Sequence, residues 1–173
     1  MANTTPSADL RAQFGDIDIY LFDQLLRGRI APGMRVLDAG CGTGRNLVYL
    51  LKHGYEIAAC DCDPASVTTV RALAARLAPH LPDDRFRLEP IEDMSFADAS
   101  ADVVLASAVL HFAADDDQFN AMVSGLWRVL APGGMLFTRL ASSIGIETRI
   151  EKISGRRFRL PDGSVRYLVD EPL

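Results

Sequence analysis

The sequence predicts an α/β fold: a Rossmann-like, doubly wound sheet of about five parallel strands in the order 3-2-1-4-5, with helices on both faces and a C-terminal β-hairpin. Three observations predict it. Short apolar runs suited to buried strands alternate with segments of helical periodicity. The connections between them are short, and strands that read as continuous apolar runs belong to parallel sheets covered on both faces. A turn of three alternating glycines follows the first strand, at the carboxyl edge where open α/β sheets bind ligands.

From Ile17, apolar residues recur at Leu21, Phe22, Leu25 and Leu26, which predicts a helix closed by Ala31, Pro32 and Gly33. "MRVLDAG" places Val36 and Leu37 in a buried strand. "RNLVYLLKHG" then gives a helix with Leu47, Leu50 and Leu51 inward and Gly54 as its left-handed stop. "YEIAAC" is a second strand, and Asp63 before Pro64 is a helix start, because the carboxylate caps free N–H groups and proline lacks one. Val67, Val70, Ala74 and Leu77 form the inner face of that helix.

"RFRLE" and "DVVLAS", the latter from Asp102, are the third and fourth strands. Apolar residues at 119, 122, 123, 126, 127 and 130 predict a helix whose stripe is core, with Asp115 to Asp117 placing negative charge at its positive end. "APGG" turns into "MLFTRL", the fifth strand. Beyond Leu140, "RRFRL" and "VRYLV" flank the turn residues Pro161, Asp162 and Gly163, which predicts the hairpin. The 173 residues thus divide as one domain, 1–173: a loose tail over 1–15, an N-terminal helix within 16–30, a cofactor-binding core over 33–140 and a hairpin or lid region over 141–173.

Composition removes several classes of function. No run approaches the ~18 apolar residues of a bilayer span. The opening "MANTTPSADLR" has neither a basic start nor an apolar run, so no secretory signal is expected and the default location is cytoplasmic. Cys41, Cys60 and Cys62 are odd in number and have neither disulfide-framework nor zinc spacing, so no metal is expected. A formal net charge of -5 opposes bulk nucleic-acid binding. The basic residues Arg149, Lys152, Arg156, Arg157, Arg159 and Arg166 near the end read as a solvated hairpin.

The glycine turn, "VLDAGCGTGRN", decides between cofactors. A P-loop and a dinucleotide fingerprint both need glycine where Arg45 stands when Gly40 opens the motif. Asp38 would also repel a diphosphate. The same acid suits a ligand carrying an ammonium group and a positive sulfur, which describes S-adenosylmethionine. Asp61 ends the second strand, 19 positions after Gly42, where an acid can accept hydrogen bonds from both ribose hydroxyls.

"VLDAGCGTG" resembles motif I of the class I S-adenosylmethionine-dependent methyltransferases. "IEDMSFADASADVVLASAVLHF" and "LWRVLAPGGML" are similar to the central and late motifs of their small-molecule branch, which includes quinone and sterol methyltransferases. The resemblance runs from about Gly33 to Leu140. It implies cofactor binding by Asp38, Gly40, Cys41, Gly42, Gly44, Asn46, Asp61 and Cys62, with Ile91 and Glu92 beside the adenine and Ser107 or Ala108 near the transferred methyl. The product would be S-adenosylhomocysteine.

Two departures stand out. Pro90 occupies a position where many relatives carry Asp, which removes an N–H and an adenine partner. The resemblance also implies two further strands closing the sheet, and the hairpin either replaces them or leaves the fifth strand as an edge through which a homodimer could form. His111, after the fourth strand, is the candidate proton acceptor, whereas His53 and His80 have no motif around them. "SAVL" differs from the Asn/Asp-Pro-Pro-aromatic pattern of enzymes that methylate exocyclic amines of bases, so the expected acceptor is a small molecule. Two alternatives remain at this point: an NAD-dependent oxidoreductase, and a relative that binds cofactor or partner without catalysis.

Overall fold

The computed structural model describes residues 6–170. Five helices and eight strands follow one another among the described residues. Helix α1 (Pro6–Phe14) occupies most of the segment expected as a loose tail, of which residues 1–5 lie outside the described residues. Helix α2 (Ile19–Leu26) is started by Asp18, whose side chain accepts from the Tyr20 N–H.

Then come β1 (Arg35–Ala39), α3 (Val48–Lys52), β2 (Glu56–Asp61), α4 (Pro64–Leu77) and β3 (Phe86–Leu88). Strand β4 (Ala101–Ser107), α5 (Asp116–Val129) and β5 (Leu130–Arg139) complete the core. These five strands form one parallel sheet in the order β3-β2-β1-β4-β5, as the alternating pattern predicted.

Strand periodicity explains why the sheet is wound on both faces. Val36, Ile57, Ala59, Val103 and Leu105 pack on one side with Leu21, Leu47, Leu50, Val70 and Ala74 of the α2, α3 and α4 region. Their neighbours Leu37, Ala39, Cys60, Val104 and Ala106 point the other way, onto Phe119, Met122, Leu126 and Val129 of α5. A strand buried on both faces leaves no polar position, which is why these runs read as continuously apolar.

Several elements differ from expectation in instructive ways. Helix α3 covers only five residues, although Leu47, Leu50 and Leu51 are all buried as predicted and Gly54 has the left-handed φ of 74°. Strand β5 begins at Leu130 and absorbs the "APGG" turn, with a register irregularity between Ala101 and Val103 on its partner. Trp127, assigned to the core by its spacing, is 58% exposed. The buried stripe of α5 is narrower than the apolar stripe of its sequence.

The C-terminal segment forms its own antiparallel sheet, β6 (Glu151–Ser154), β7 (Arg157–Arg159) and β8 (Val165–Tyr167). The predicted hairpin is β7–β8, turned by Gly163 at φ 82° with Asp162 accepting from the Ser164 N–H. Tyr167 docks this sheet on the core. Its ring stacks on Phe119 with centroids 4.7 Å apart, and its hydroxyl donates to Asp116 at 2.8 Å. Strand β5 therefore lies at an edge of the main sheet, and the small sheet packs across the α5 side instead of extending it.

Candidate cofactor cleft

At the carboxyl edge of the parallel sheet a cleft of about 940 Å³ opens between the glycine turn, the ends of β2, β4 and β5, and the segments 90–92 and 108–112. Ten of the sequence-predicted residues line it: Gly40, Cys41, Gly42, Asn46, Asp61, Cys62, Ile91, Glu92, Ser107 and His111. Asp38 and Gly44 stand outside the lining. Gly44 is a packing position, since a Cβ there would lie 3.1 Å from both Leu73 and Val70.

The glycines of the turn do different work. Gly40 has φ 74°, and a Cβ there would fall 2.3 Å from Val109 Cγ2, so backbone must pass directly against the segment after β4. Gly42 has φ 52° and open space where a Cβ would be. It offers bare backbone to the cleft. The turn is tied to β2 by two amides, since Gly40 and Cys41 both donate to the Cys60 carbonyl.

Asp61 ends β2 at the cleft, beside the glycine turn. Its Oδ2 accepts from the Gly42 N–H at 2.8 Å and its Oδ1 from the Asp63 N–H at 2.9 Å. Those two bonds fix the carboxylate at the mouth of the turn and leave further lone pairs on both oxygens. Glu92 is held in turn by Gln118, whose amide donates to it at 2.7 Å.

Asp38 is 2% exposed, and its Oδ2 has no hydrogen-bond partner. Burial pushes its carboxyl up to about 7, opposed by the charge of Arg45 and reinforced by that of Asp61. A buried carboxylate lacking a donor is costly unless a cation completes it. The orphaned acid beneath a bare turn fits the ammonium-bearing end of S-adenosylmethionine and does not fit a diphosphate.

Sequence reasoning missed a polar knot on the other side of the cleft. Asp18 is 2% exposed and joins four elements. Its N–H donates to Asn46 Oδ1 at 2.9 Å, its Oδ2 accepts from Arg139 Nη1 at 2.8 Å and from Ser107 Oγ at 3.3 Å, and Arg45 Nη2 lies 3.7 Å away. Burial alone would raise the Asp18 carboxyl, but hydrogen bonds from Arg139 and the Tyr20 N–H outweigh it and hold it below its usual range. The available signals were Asp18 in an N-cap position and a charge, Arg139, ending the apolar run "MLFTRL".

The segment after β4 is strained and apolar. Ala108 carries φ 63°, rare for a residue with a Cβ, and its N–H donates to the Arg139 carbonyl. His111 lines the cleft with Nδ1 buried and unpartnered. Burial, helped by the nearby Arg166 charge, lowers its pKa and keeps the ring neutral at pH 7. Arg166 in turn stacks over Phe112, 4.7 Å from the ring centroid, so the small sheet reaches the cleft wall.

A doubly wound sheet in this order, with a bare glycine turn and paired acids at its carboxyl edge, defines an S-adenosylmethionine-dependent methyltransferase domain of class I. A family model described as "Methyltransferase domain" matches residues 37–138, more than half of the chain, and the chain belongs to that family. It is 34% identical over 116 residues to a malonyl-[acyl-carrier protein] O-methyltransferase of Serratia marcescens, covering 66% of this chain and 42% of that protein. It is 32% identical over 160 residues to the protein of the same name from Herminiimonas arsenicoxydans, covering 86% and 56%.

The chain spans about half the length of the curated relatives it matches. Among solved structures, a 1,6-didemethyltoxoflavin-N1-methyltransferase from Burkholderia thailandensis, with S-adenosylhomocysteine bound, superposes with a TM-score of 0.66. That likeness covers 96% of this chain and 66% of that one at 22% identity, and it is a likeness of fold. No described helix is long and apolar enough to cross a membrane.

Proposed function

We propose that this domain transfers the methyl group of S-adenosylmethionine to a small-molecule acceptor by in-line displacement. The observation that carries the reading is the pairing of open backbone at Gly42 with the anchored Asp61 carboxylate on one side and the orphaned Asp38 on the other. Asp61 would accept from the ribose hydroxyls, Ile91 and Glu92 would flank the adenine, and Asp38, buried beneath the turn and outside the lining, would attract the ammonium group by its charge. Bound there, the cofactor supplies an electrophilic methyl on a positively charged sulfur.

The chain's own contribution is alignment and exclusion of water. The segment Ala106 to Leu110 carries no charge that opposes dispersal of the sulfonium charge, and the tight fit of Gly40 against Val109 fixes that segment relative to the turn. His111 lines the cleft with a ring that burial and Arg166 hold below its usual pKa, and it is the side chain there suited to accept the proton of a hydroxyl acceptor. Arg45 in place of a third glycine and the buried acid Asp38 both disfavour NAD.

The relatives' names carry different acceptors, among them malonyl-[acyl-carrier protein] and 5-carboxymethoxyuridine of tRNA, so the acceptor has to be read from this chain's cleft. The free, buried Cys41 and Cys60 support a reducing, cytoplasmic setting. The unpaired side of β5 supports association of two copies edge to edge.

Incubation with methyl-labelled S-adenosylmethionine and a panel of phenolic, carboxylic and amine acceptors tests the reading. Labelled product is expected. Its absence across the panel, with S-adenosylhomocysteine still bound, would establish instead a cofactor-binding relative without turnover.

A further inference from the structure

Arg139 and Arg45 are the two cations that line the cleft, and both are anchored to one buried anion. Asp18 is fully used in doing so: one oxygen caps α2 through the Tyr20 N–H, and the other takes Arg139 at 2.8 Å and Ser107 at 3.3 Å. Arg45 stands 3.7 Å from the same oxygen and donates to Ser107 Oγ at 3.1 Å. Two guanidinium groups converge on this one carboxylate, but Arg45 also lies near the buried Asp38, so Arg139 is, among the described residues, the cation whose remaining donors are free to meet a ligand. Arg139 offers several N–H donors, and among the described residues only its Nη1 has a partner. Its side chain is half exposed and faces the cleft.

The position of Arg139 along the sheet says which molecule meets it. In the order β3-β2-β1-β4-β5, the adenine-side residues Ile91 and Glu92 follow β3, Asp61 ends β2, and Asp38 lies on β1. Arg139 ends β5 and pairs in register with Ser107 at the end of β4. It therefore lies two strand spacings, roughly 10 Å, beyond the strand that would hold the amino-acid end of the cofactor. That is the acceptor's side.

We propose that Arg139, held in place by Asp18 and assisted by Arg45, is a specificity-determining residue that binds a carboxylate on the methyl acceptor. The planar fork of a guanidinium matches a carboxylate in two parallel hydrogen bonds, and the buried Asp18 fixes the plane in which they form. The reaction then selects acidic small molecules over their uncharged analogues. The proposal rests on the reading of the cleft as a methyltransferase site.

The test uses the protein loaded with S-adenosylhomocysteine and titrated with acetate, benzoate and malonate, each against its amide, with binding followed by backbone amide shifts in NMR spectra. At least one carboxylate should bind about tenfold more tightly than its amide. Arg139→Gln should reduce that preference to about twofold or less while cofactor-product affinity stays within about threefold. Arg159→Gln, whose guanidinium pairs with Glu151 outside the cleft, should keep it.

Because Arg139→Gln strands the buried Asp18, the double variant Asp18→Asn with Arg139→Gln removes both charges together and carries the same expectation. No carboxylate preference in the native protein, or its persistence in both variants, overturns the proposal. So does a loss of about tenfold or more in S-adenosylhomocysteine affinity in Arg139→Gln with 5′-methylthioadenosine bound as before, since the arginine would then hold the cofactor's own carboxylate. Failure of the native protein to bind S-adenosylhomocysteine at all strikes the reading of the cleft itself.

Discussion

Asp38 shows how a single side chain can be tested for function and stability at once. Burial holds its carboxyl at about 7, above the ordinary value, so the folded state keeps a proton that the unfolded chain has lost. The sign follows: the stability tied to the protonated form is complete below about pH 4 and is lost as pH rises through about 7. The span corresponds to up to about 4 kcal/mol. Asp38→Asn should therefore raise the melting temperature at pH 8 and change it little at pH 4. The same variant should weaken S-adenosylhomocysteine binding, and calorimetry at pH 8 checks that opposite movement. A purely structural acid would give the first effect without the second.

Much of this site was legible one residue at a time. Gly40, Gly42 and Asp61 could be placed at the cleft from sequence because a turn of bare backbone followed by an acid at the next strand end marks the carboxyl edge of an open α/β sheet. Asp18 and Arg139 did not, because they are 121 positions apart and each alone reads as a helix cap or a solvated charge. Gly44 looked like its neighbours in sequence, yet it serves packing under α4.

Among the elements, the central strands β1, β2 and β4 were readable because their residues are buried on both faces, and α4 and α5 because capping acids mark their starts. The third strand of the small sheet, β6, was not, since "EKIS" is wholly exposed and has no apolar alternation to betray it. Helix α3 also came out shorter than its apolar pattern, because the residues before it stay in the turn that shapes the cleft.

What fastens the small sheet to the core is chiefly Tyr167, stacked on Phe119 and bonded to Asp116, with its hydroxyl pKa pushed up to about 12 by burial and that carboxylate. Tyr167→Phe should cost about 1 kcal/mol, the worth of one hydrogen bond, and Tyr167→Ala about 3–5 kcal/mol. Urea unfolding measures both. Because β8 carries Arg166 against the wall containing His111, Tyr167→Ala should also raise the acceptor's KM more than the cofactor's.

The molecule as a whole is an acidic domain with a cationic corner at its cleft and, on the same side of the main sheet, the long outer strand β5, whose far edge no described strand pairs. Edge-to-edge association through β5 predicts a dimer in sedimentation velocity experiments, and Thr138→Pro, which removes an amide from that edge, should shift it to monomer. A native chain that sediments as a monomer at all concentrations contradicts the proposed association and leaves the cleft untouched. The central claim is more directly exposed by titrating the native chain and Asp61→Ala with S-adenosylhomocysteine in a calorimeter, with NAD as the comparison ligand. Saturable binding of S-adenosylhomocysteine, none of NAD, and a loss of about 1.5–3 kcal/mol in the variant are expected. Tighter binding of NAD, or equal affinity of native and variant chains for S-adenosylhomocysteine, would contradict the central claim.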